Sequence, residues 1–169
     1  CLVGSEMCIR DRLNIKNEAE LRAAFDTVME SCAANAPKAK LEGVLLKPML
    51  RPGTEMIIGV NNDRDFGPMI MVGMGGVFVE LFKDVQLAPA PLTQSQAERM
   101  IENLASYPLL NGYRGGAVCD KAALAGLLVK ISQMAAEGKD KVKELDINPV
   151  FITEDGAAIA DALLVVYDD

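Results

Sequence analysis

The fold is decided by residues 54–72, which read TEMIIGVNNDRDFGPMIMV. Two apolar runs, Thr54–Val60 and Pro68–Val72, flank the turn-forming residues Asn61-Asn-Asp-Arg-Asp, a pattern that predicts an antiparallel hairpin. A third apolar run, Val77–Leu81, follows Gly73-Met-Gly-Gly. Three strands joined by short turns predict an antiparallel meander.

On the N-terminal side, Asn17 and Glu20 have capping-box spacing, and apolar residues recur at helical intervals after them, which predicts a helix over 17–34. The run from Glu42 to Leu50 predicts a buried strand, ended by Arg51-Pro-Gly.

On the C-terminal side, helices are expected from Thr93 to about Ala105 and from Asp120 to about Ala136. A loop around Tyr113-Arg-Gly-Gly separates them. The remaining runs predict short strands at Lys143–Ile147 and Pro149–Thr153, a turn at Glu154-Asp-Gly, and a last strand over Ala157–Tyr167. The expected class is α+β, with helices packed against a mainly antiparallel sheet.

Composition excludes several kinds of chemistry. The 169 residues include 17 Lys and Arg, 24 Asp and Glu, no Trp and no His, which gives a net charge of −7. An acidic chain with few aromatic residues is a poor candidate for nucleic-acid binding. Without histidine, this chain itself supplies no Ser-His-Asp or Cys-His nucleophile and no phosphohistidine.

The first twelve residues, CLVGSEMCIRDR, stand apart. They have neither the pattern of a signal peptide nor that of a membrane span, and they resemble translated sequencing-adapter read-through. We therefore expect 1–12 to be non-native and 13–169 to be one lobe of a larger protein. Outside this segment only Cys32 and Cys119 remain, and two isolated cysteines indicate reduced residues of a cytoplasmic protein.

The C-terminal hairpin carries polar residues at strand spacing. In Glu144-Leu-Asp-Ile-Asn, the side chains of Asp146 and Asn148 share one face of a strand. Asp161 lies within the otherwise apolar last strand, where a buried carboxylate needs a cation or hydrogen-bond donors. Asn148 and Asp161 facing each other across the hairpin suit Mg²⁺ held partly by nucleotide phosphates. The alternative is that Asp161 caps or pairs with a nearby Lys or Arg.

Two glycine-containing segments also invite a functional interpretation. Gly75 and Gly76 lie between two expected strands, where the backbone could approach a phosphate, although the motif taken alone favours a tight turn without a ligand. Arg114, between Tyr113 and two glycines, could bind a phosphate or carboxylate. A salt bridge that holds the loop is the alternative.

Several segments match one family in order. They are GVLLKPML at 43–50, PGTEMIIGV at 52–60, DFGPMIMVGMGGVFVELFKDV at 65–85, YPLLNGYRGG at 107–116 and ELDINPVF at 144–151. Together they resemble the ATP-grasp portion of NDP-forming acyl-CoA synthetases, relatives of the succinyl-CoA synthetase β subunit. The resemblance extends from about residue 13 to the end and implies the C-terminal ATP-grasp lobe.

The resemblance also implies roles for individual residues. Leu46 and Lys47 would contact adenine through backbone groups, Leu50 would line the pocket, and Glu55 would contact the ribose. Gly75 and Gly76 would let the phosphates or a phosphorylated loop pass close to the backbone. Asn148 and Asp161 fall on the Mg²⁺ ligands of the family, and Asp146 on the acidic position that faces the phosphohistidine. Lys47 departs from the usual Gln or Glu, and Leu163 replaces a common basic residue.

The implied activity is ADP-forming synthesis of an acyl-CoA from a carboxylic acid, CoA and ATP, through an acyl phosphate and a phosphohistidine. The CoA-binding and phosphohistidine segments would lie in other sequence or another subunit, in an oligomer that binds neither nucleic acid nor membrane. One alternative is another ATP-grasp ligase, which joins a carboxylate to an amine. The other is a non-catalytic nucleotide- or acyl-CoA-sensing module of a fused acetyltransferase.

Overall fold

The computed structural model describes residues 11–76 and 83–167, and the chain divides into two units, residues 1–49 and 50–169. The first unit contains one helix, α1, at Glu18–Asn35. It begins as predicted, because the Asn17 side chain accepts a hydrogen bond from the Glu20 amide at 2.9 Å. The Lys16 amide in turn donates a hydrogen bond to the Glu20 carboxylate at 2.8 Å.

The strand predicted over Glu42–Leu50 is wrong, because these residues form neither helix nor strand. Leu45 and Leu46 are 78% and 66% exposed. A strand needs a hydrogen-bonded neighbour, and no strand in the described part of the chain pairs with this segment. Its apolar residues alone therefore do not make it a buried strand.

The second unit is an antiparallel sheet with helices. Its strands are β1 (Thr54–Asp63), β2 (Gly67–Met74), β3 (Val85–Pro89), β4 (Val142–Thr153), β5 (Gly156–Ile159) and β6 (Ala162–Val166). Its helices are α2 (Gln94–Glu102), the short α3 (Tyr107–Leu110) and α4 (Lys121–Glu137), with a 3₁₀ turn at Tyr113–Gly115. The strand order is β3-β2-β1-β4-β5, and β6 also pairs with β4. The predicted α+β class is confirmed.

The predicted hairpin is also confirmed, although β1 continues through Asp63 and the turn is correspondingly shorter. Asp63 accepts hydrogen bonds from the amides of Asp65 and Phe66, which lower the pKa of its carboxyl. The third strand of the meander is β3, which sequence reasoning missed. The predicted strand Val77–Leu81 lies outside the described residues.

One face of the sheet packs on the helices. Met56, Ile58 and Val60 alternate along β1, are 3% exposed or less, and belong to the same hydrophobic cluster as residues of α2 and α4. Residues between them in the strand point to the opposite side. We call that side, which carries Glu55, Gly59 and Asp146, the outer face.

Capping residues begin both long helices of this unit at the predicted positions. Thr93 and Gln96 form a reciprocal capping box on α2. Asp120 caps α4 by accepting from the Ala123 amide at 2.9 Å. The fully buried Ser132 hydroxyl donates to the Val129 carbonyl and accepts from the Leu92 amide, which joins α4 to the segment before α2.

The C-terminal hairpin differs from the prediction in two ways. Residues 142–153 form one strand, where two were predicted, and residues 157–167 contain two strands separated at Ala160–Asp161, where one was predicted. The break between the two facing strands lies opposite Asn148–Pro149, where the β1–β4 register shifts. Proline has no amide hydrogen and cannot complete a regular ladder. β5 and β6 therefore each pair with one part of β4.

Candidate functional site

Glu55 lies beside the Gly75–Gly76 turn on the outer face. The Gly75 amide donates to the Glu55 carbonyl oxygen at 2.7 Å. A Cβ atom built on Gly76 would lie 3.5 Å from Glu55 Oε2. Gly76 has φ of +63°, a conformation that glycine adopts at little cost. The turn therefore leaves an exposed carboxylate beside open backbone, as a contact with a polar ligand requires.

Asn148 and Asp161 are direct neighbours across the hairpin. The Asn148 amide donates to the Asp161 carbonyl oxygen at 3.2 Å, and the Ala160 amide donates to the Pro149 carbonyl oxygen at 3.0 Å. Both residues are half-buried. The irregular geometry around Pro149 places Asp161 in the gap between β5 and β6, so its backbone is not part of a regular strand.

Asp146 lies next to this pair on β4. It is opposite Leu163 of β6 and opposite Gly59 of β1. Burial, together with the negative charges of Glu144 and Asp161, raises the pKa of the Asp146 carboxyl. The carboxylates of this part of the outer face therefore repel one another, and a bound cation would relieve that repulsion.

Three of the predicted residues of the second unit, Glu55, Asn148 and Asp146, follow one another along the paired strands β1 and β4. Glu55 and Gly59 are four positions apart on β1, about 13 Å at the rise of a strand. The register shift places Asn148 near Ile57, between those two positions. Leu50 is half-buried at the start of this unit, whereas Leu46 and Lys47 are exposed residues of the first unit.

Gly59 was not among the predicted site residues, although it lies opposite Asp146. A glycine inside an apolar strand is a recognised sign of close approach by another group, and here that group is the Met71 side chain, whose Cε would lie 3.2 Å from a Cβ built on Gly59. That sign was visible in the sequence, but the strand register that joins Gly59 to Asp146 was not.

The donor set fits Mg²⁺ in part. Asn148, Asp161 and the neighbouring Asp146 offer the hard oxygen ligands that this ion prefers. Among the described residues, no three His, Cys, Asp or Glu side chains form a group that could hold a metal by themselves. The arrangement therefore fits an ion that keeps water or phosphate oxygens as further ligands.

Arg114 lies outside β1 and β4, in the 3₁₀ turn at Tyr113–Gly115. It has φ of +53°, is exposed, and its guanidinium carbon lies 5.3 Å from the centroid of the Tyr113 ring. No ion pair of Arg114 is present within the described residues, so the predicted loop-holding salt bridge is not found there. A cavity of about 200 Å³ is lined by Glu98, Ile101, Glu102, Tyr107, Lys121 and Ala122, none of them a predicted site residue.

Two curated relatives of this chain are beta subunits of ADP-forming acetate–CoA ligases. The chain is 42% identical over 156 residues to the acetate–CoA ligase [ADP-forming] II subunit beta of Pyrococcus furiosus, covering 91% of this chain and 66% of that protein. It is 43% identical over 155 residues to the corresponding I subunit beta, with 92% and 66% coverage. The chain thus spans slightly less than two thirds of the length of these curated relatives.

A solved structure with the same fold is the acetyl-coenzyme A synthetase 1 of Ca. Korarchaeum cryptofilum, in complex with coenzyme A and Mg-AMPPCP. In that protein the phosphohistidine segment points towards the nucleotide-binding site. The TM-score is 0.82 at 35% identity, and the match covers 92% of this chain and 67% of that one.

No helix within residues 11–76 and 83–167 is long and apolar enough to cross a bilayer.

The family model described as the ATP-grasp domain matches residues 11–166, nearly the whole chain. Together with the antiparallel sheet and its helices, this match shows that the chain belongs to the ATP-grasp family.

Proposed function

We propose that this chain is the nucleotide- and magnesium-binding lobe of an ADP-forming acyl-CoA synthetase. The complete protein would join a carboxylic acid to CoA with ATP, through an acyl phosphate and a phosphohistidine. The observation that carries the proposal is the 3.2 Å backbone hydrogen bond between Asn148 and Asp161. It makes neighbours of the two residues that the family resemblance assigns to Mg²⁺, in a chain 42% identical to an ADP-forming acetate–CoA ligase subunit.

Each residue has a proposed task. Backbone groups of Leu46 and Lys47 bind the adenine edge, Leu50 lines the base pocket, and the Glu55 carboxylate accepts hydrogen bonds from the ribose hydroxyls. The backbone at Gly75 and Gly76 leaves room for phosphates. Asn148 and Asp161 hold Mg²⁺, which when bound neutralises charge on the phosphates.

Asp146 is the proposed catalytic residue of this lobe. Its carboxylate would accept a hydrogen bond from the imidazole of a phosphohistidine segment and so orient that ring. Because the chain has no histidine, the imidazole must come from other sequence or another subunit. Binding of CoA and of the acid is assigned to those same parts, in an oligomeric cytoplasmic enzyme.

The test uses the complete protein that carries this chain. ADP and phosphate should form only when ATP, Mg²⁺, CoA and a suitable carboxylic acid are all present, and acyl-CoA should form in equal amount. A panel of short, branched and aromatic acids identifies the substrate class. Binding of ATP or acyl-CoA without ADP formation from any acid would favour the sensing-module alternative and contradict the proposal.

A further inference from the structure

The ends of β1 and β2 approach unusually closely at Gly75. A Cβ atom built on this glycine would lie 3.0 Å from three atoms of Glu55: its carbonyl carbon, its carbonyl oxygen and its Cβ. The Gly75 amide also donates to the same carbonyl oxygen at 2.7 Å. Two of the three crowded atoms are backbone, which cannot rotate away as the end of a flexible side chain can.

Gly75 and Gly76 therefore need to be glycine for different reasons. At Gly76 the positive φ of +63° is the requirement, since an added Cβ would meet Glu55 only at the ordinary distance of 3.5 Å. Gly75 is not among the glycines with positive φ. Gly75 must be glycine because an added side chain would crowd the backbone of Glu55.

The Glu55 side chain depends on that backbone for its position. Within the described residues, its carboxylate takes part in none of the side-chain hydrogen bonds or ion pairs, and Glu55 is exposed. The path of β1 at Glu55 is held by its pairing with Phe151 of β4 and by the bond from Gly75. A shift of a few tenths of an ångström here moves the carboxylate directly.

We infer that Gly75 is a positioning residue for Glu55. Because Gly75 has no side chain, the end of β2 can lie directly against β1 at Glu55. This inference rests on the proposed function, in which Glu55 contacts the nucleotide, and it gives Gly75 a role other than contact with phosphate. A side chain at position 75 displaces Glu55, and misplacement of a binding group by a fraction of an ångström weakens binding.

The test is a double-mutant cycle on ATP affinity, measured by calorimetric titration of the complete protein. Gly75→Ala should weaken ATP binding on the order of fivefold when Glu55 is present, and by less than about twofold in the Glu55→Ala background. A contact between Gly75 and phosphate predicts the same loss in both backgrounds. That result, or no loss in either background, would overturn the inference.

Gly73→Ala is the matched control. It lies on the same strand, and its added Cβ would crowd Val85 Cγ1 at 2.7 Å and the Asp84 carbonyl oxygen at 2.9 Å, on the side of β3. It should lower the melting temperature and change ATP affinity by the same factor with and without Glu55. Coupling of Gly73→Ala to Glu55 as strong as that of Gly75→Ala would overturn the inference.

Two further outcomes are distinguishable. Failure of the unmutated protein to bind ATP overturns the proposed function and this inference with it, whereas ATP binding with an additive cycle overturns the inference alone. If Gly75→Ala is unfolded at the temperature of the titration, the same double-mutant cycle is measured at a lower temperature at which the variant folds. Coupling to Glu55 there supports the inference, and an additive cycle overturns it.

Discussion

The backbone amide of Asn148 donates to the carbonyl oxygen of Asp161 at 3.2 Å, across the seam where β5 ends and β6 begins. This bond fixes the two residues as cross-strand neighbours. Because Mg²⁺ ligands lie only about 2.1 Å from the ion, we expect the ligand oxygens of both side chains to lie within about 4 Å of each other when nucleotide and Mg²⁺ are bound. A crystal structure of the complex checks this distance, and a separation above about 6 Å contradicts the assignment of both residues to one ion.

Asp161→Asn keeps the size of the side chain and removes its charge. In the complete protein, turnover should fall on the order of 100-fold, the scale for losing a group that stabilises charge in the transition state, while the melting temperature changes little. Steady-state kinetics at several Mg²⁺ concentrations measure the effect. Asp155→Asn is the matched control, since Asp155 belongs to an exposed ion pair with Arg51 and its loss should leave turnover unchanged.

Glu55→Ala should weaken ATP binding by roughly 1–3 kcal/mol, the range for losing a charged hydrogen-bond partner. Lys47→Gln should change affinity by no more than a few-fold, because position 47 is proposed to act through its backbone. Calorimetric titration with ATP compares the two variants. Equal affinities for Glu55→Ala and the unmutated protein would remove Glu55 from the site.

Asp84 should stabilise the chain in a pH-dependent way. Burial raises the pKa of its carboxyl, but hydrogen bonds donated by Ser106 and Ala105 outweigh that effect and leave the pKa below its ordinary value. A carboxyl with a lowered folded-state pKa contributes stability above its unfolded pKa of about 3.9, and this contribution disappears as the pH falls through the folded value.

Asp84→Asn replaces one acceptor oxygen by a donor and should cost about 0.5–2 kcal/mol near pH 7, as for loss of a helix cap. Chemical unfolding at pH 7, 5 and 3 measures the difference, which should shrink towards pH 3. A difference that stays constant over this range would show that the carboxylate charge is not the cause.

Residues 1–12 should contribute nothing to folding, since their sequence lacks the periodicity that follows and Asp11 and Arg12 are exposed without helix or strand. Deleting 1–12 is therefore expected to leave the melting temperature of the chain within experimental error. A decrease of several degrees would show that the segment belongs to the fold.

Local signals in the sequence predicted α1, α2 and α4, but not the short α3, which lies where a loop was expected. Asn17, Thr93 and Asp120 each place a side-chain acceptor at the first turn of a helix, and that interaction involves residues only three apart. The β1–β2 hairpin was equally accessible, because its turn residues and flanking runs are contiguous in the sequence.

The wrong predictions concern strands, because the partner of a strand can lie far away in the sequence. The apolar run at 42–50 has the composition of a strand but no partner among the described strands. The interruption at Ala160–Asp161 lies opposite Pro149 of the facing strand. The same limit applies to the site: the residue types at Asn148 and Asp161 were visible in sequence, but the opposition of Gly59 to Asp146 required the register.

The break between β5 and β6 divides the strands that face β4 into two independent pairings. β5 and the turn at Glu154–Asp155 form a small hairpin with the end of β4, whereas β6 pairs with its first half. Asp161 is held to Asn148 at the junction, independently of the length of that turn. An insertion at Glu154–Asp155 would therefore extend the hairpin away from Asn148 and Asp161. The protein can gain residues in this loop without moving the ligands of its proposed metal site.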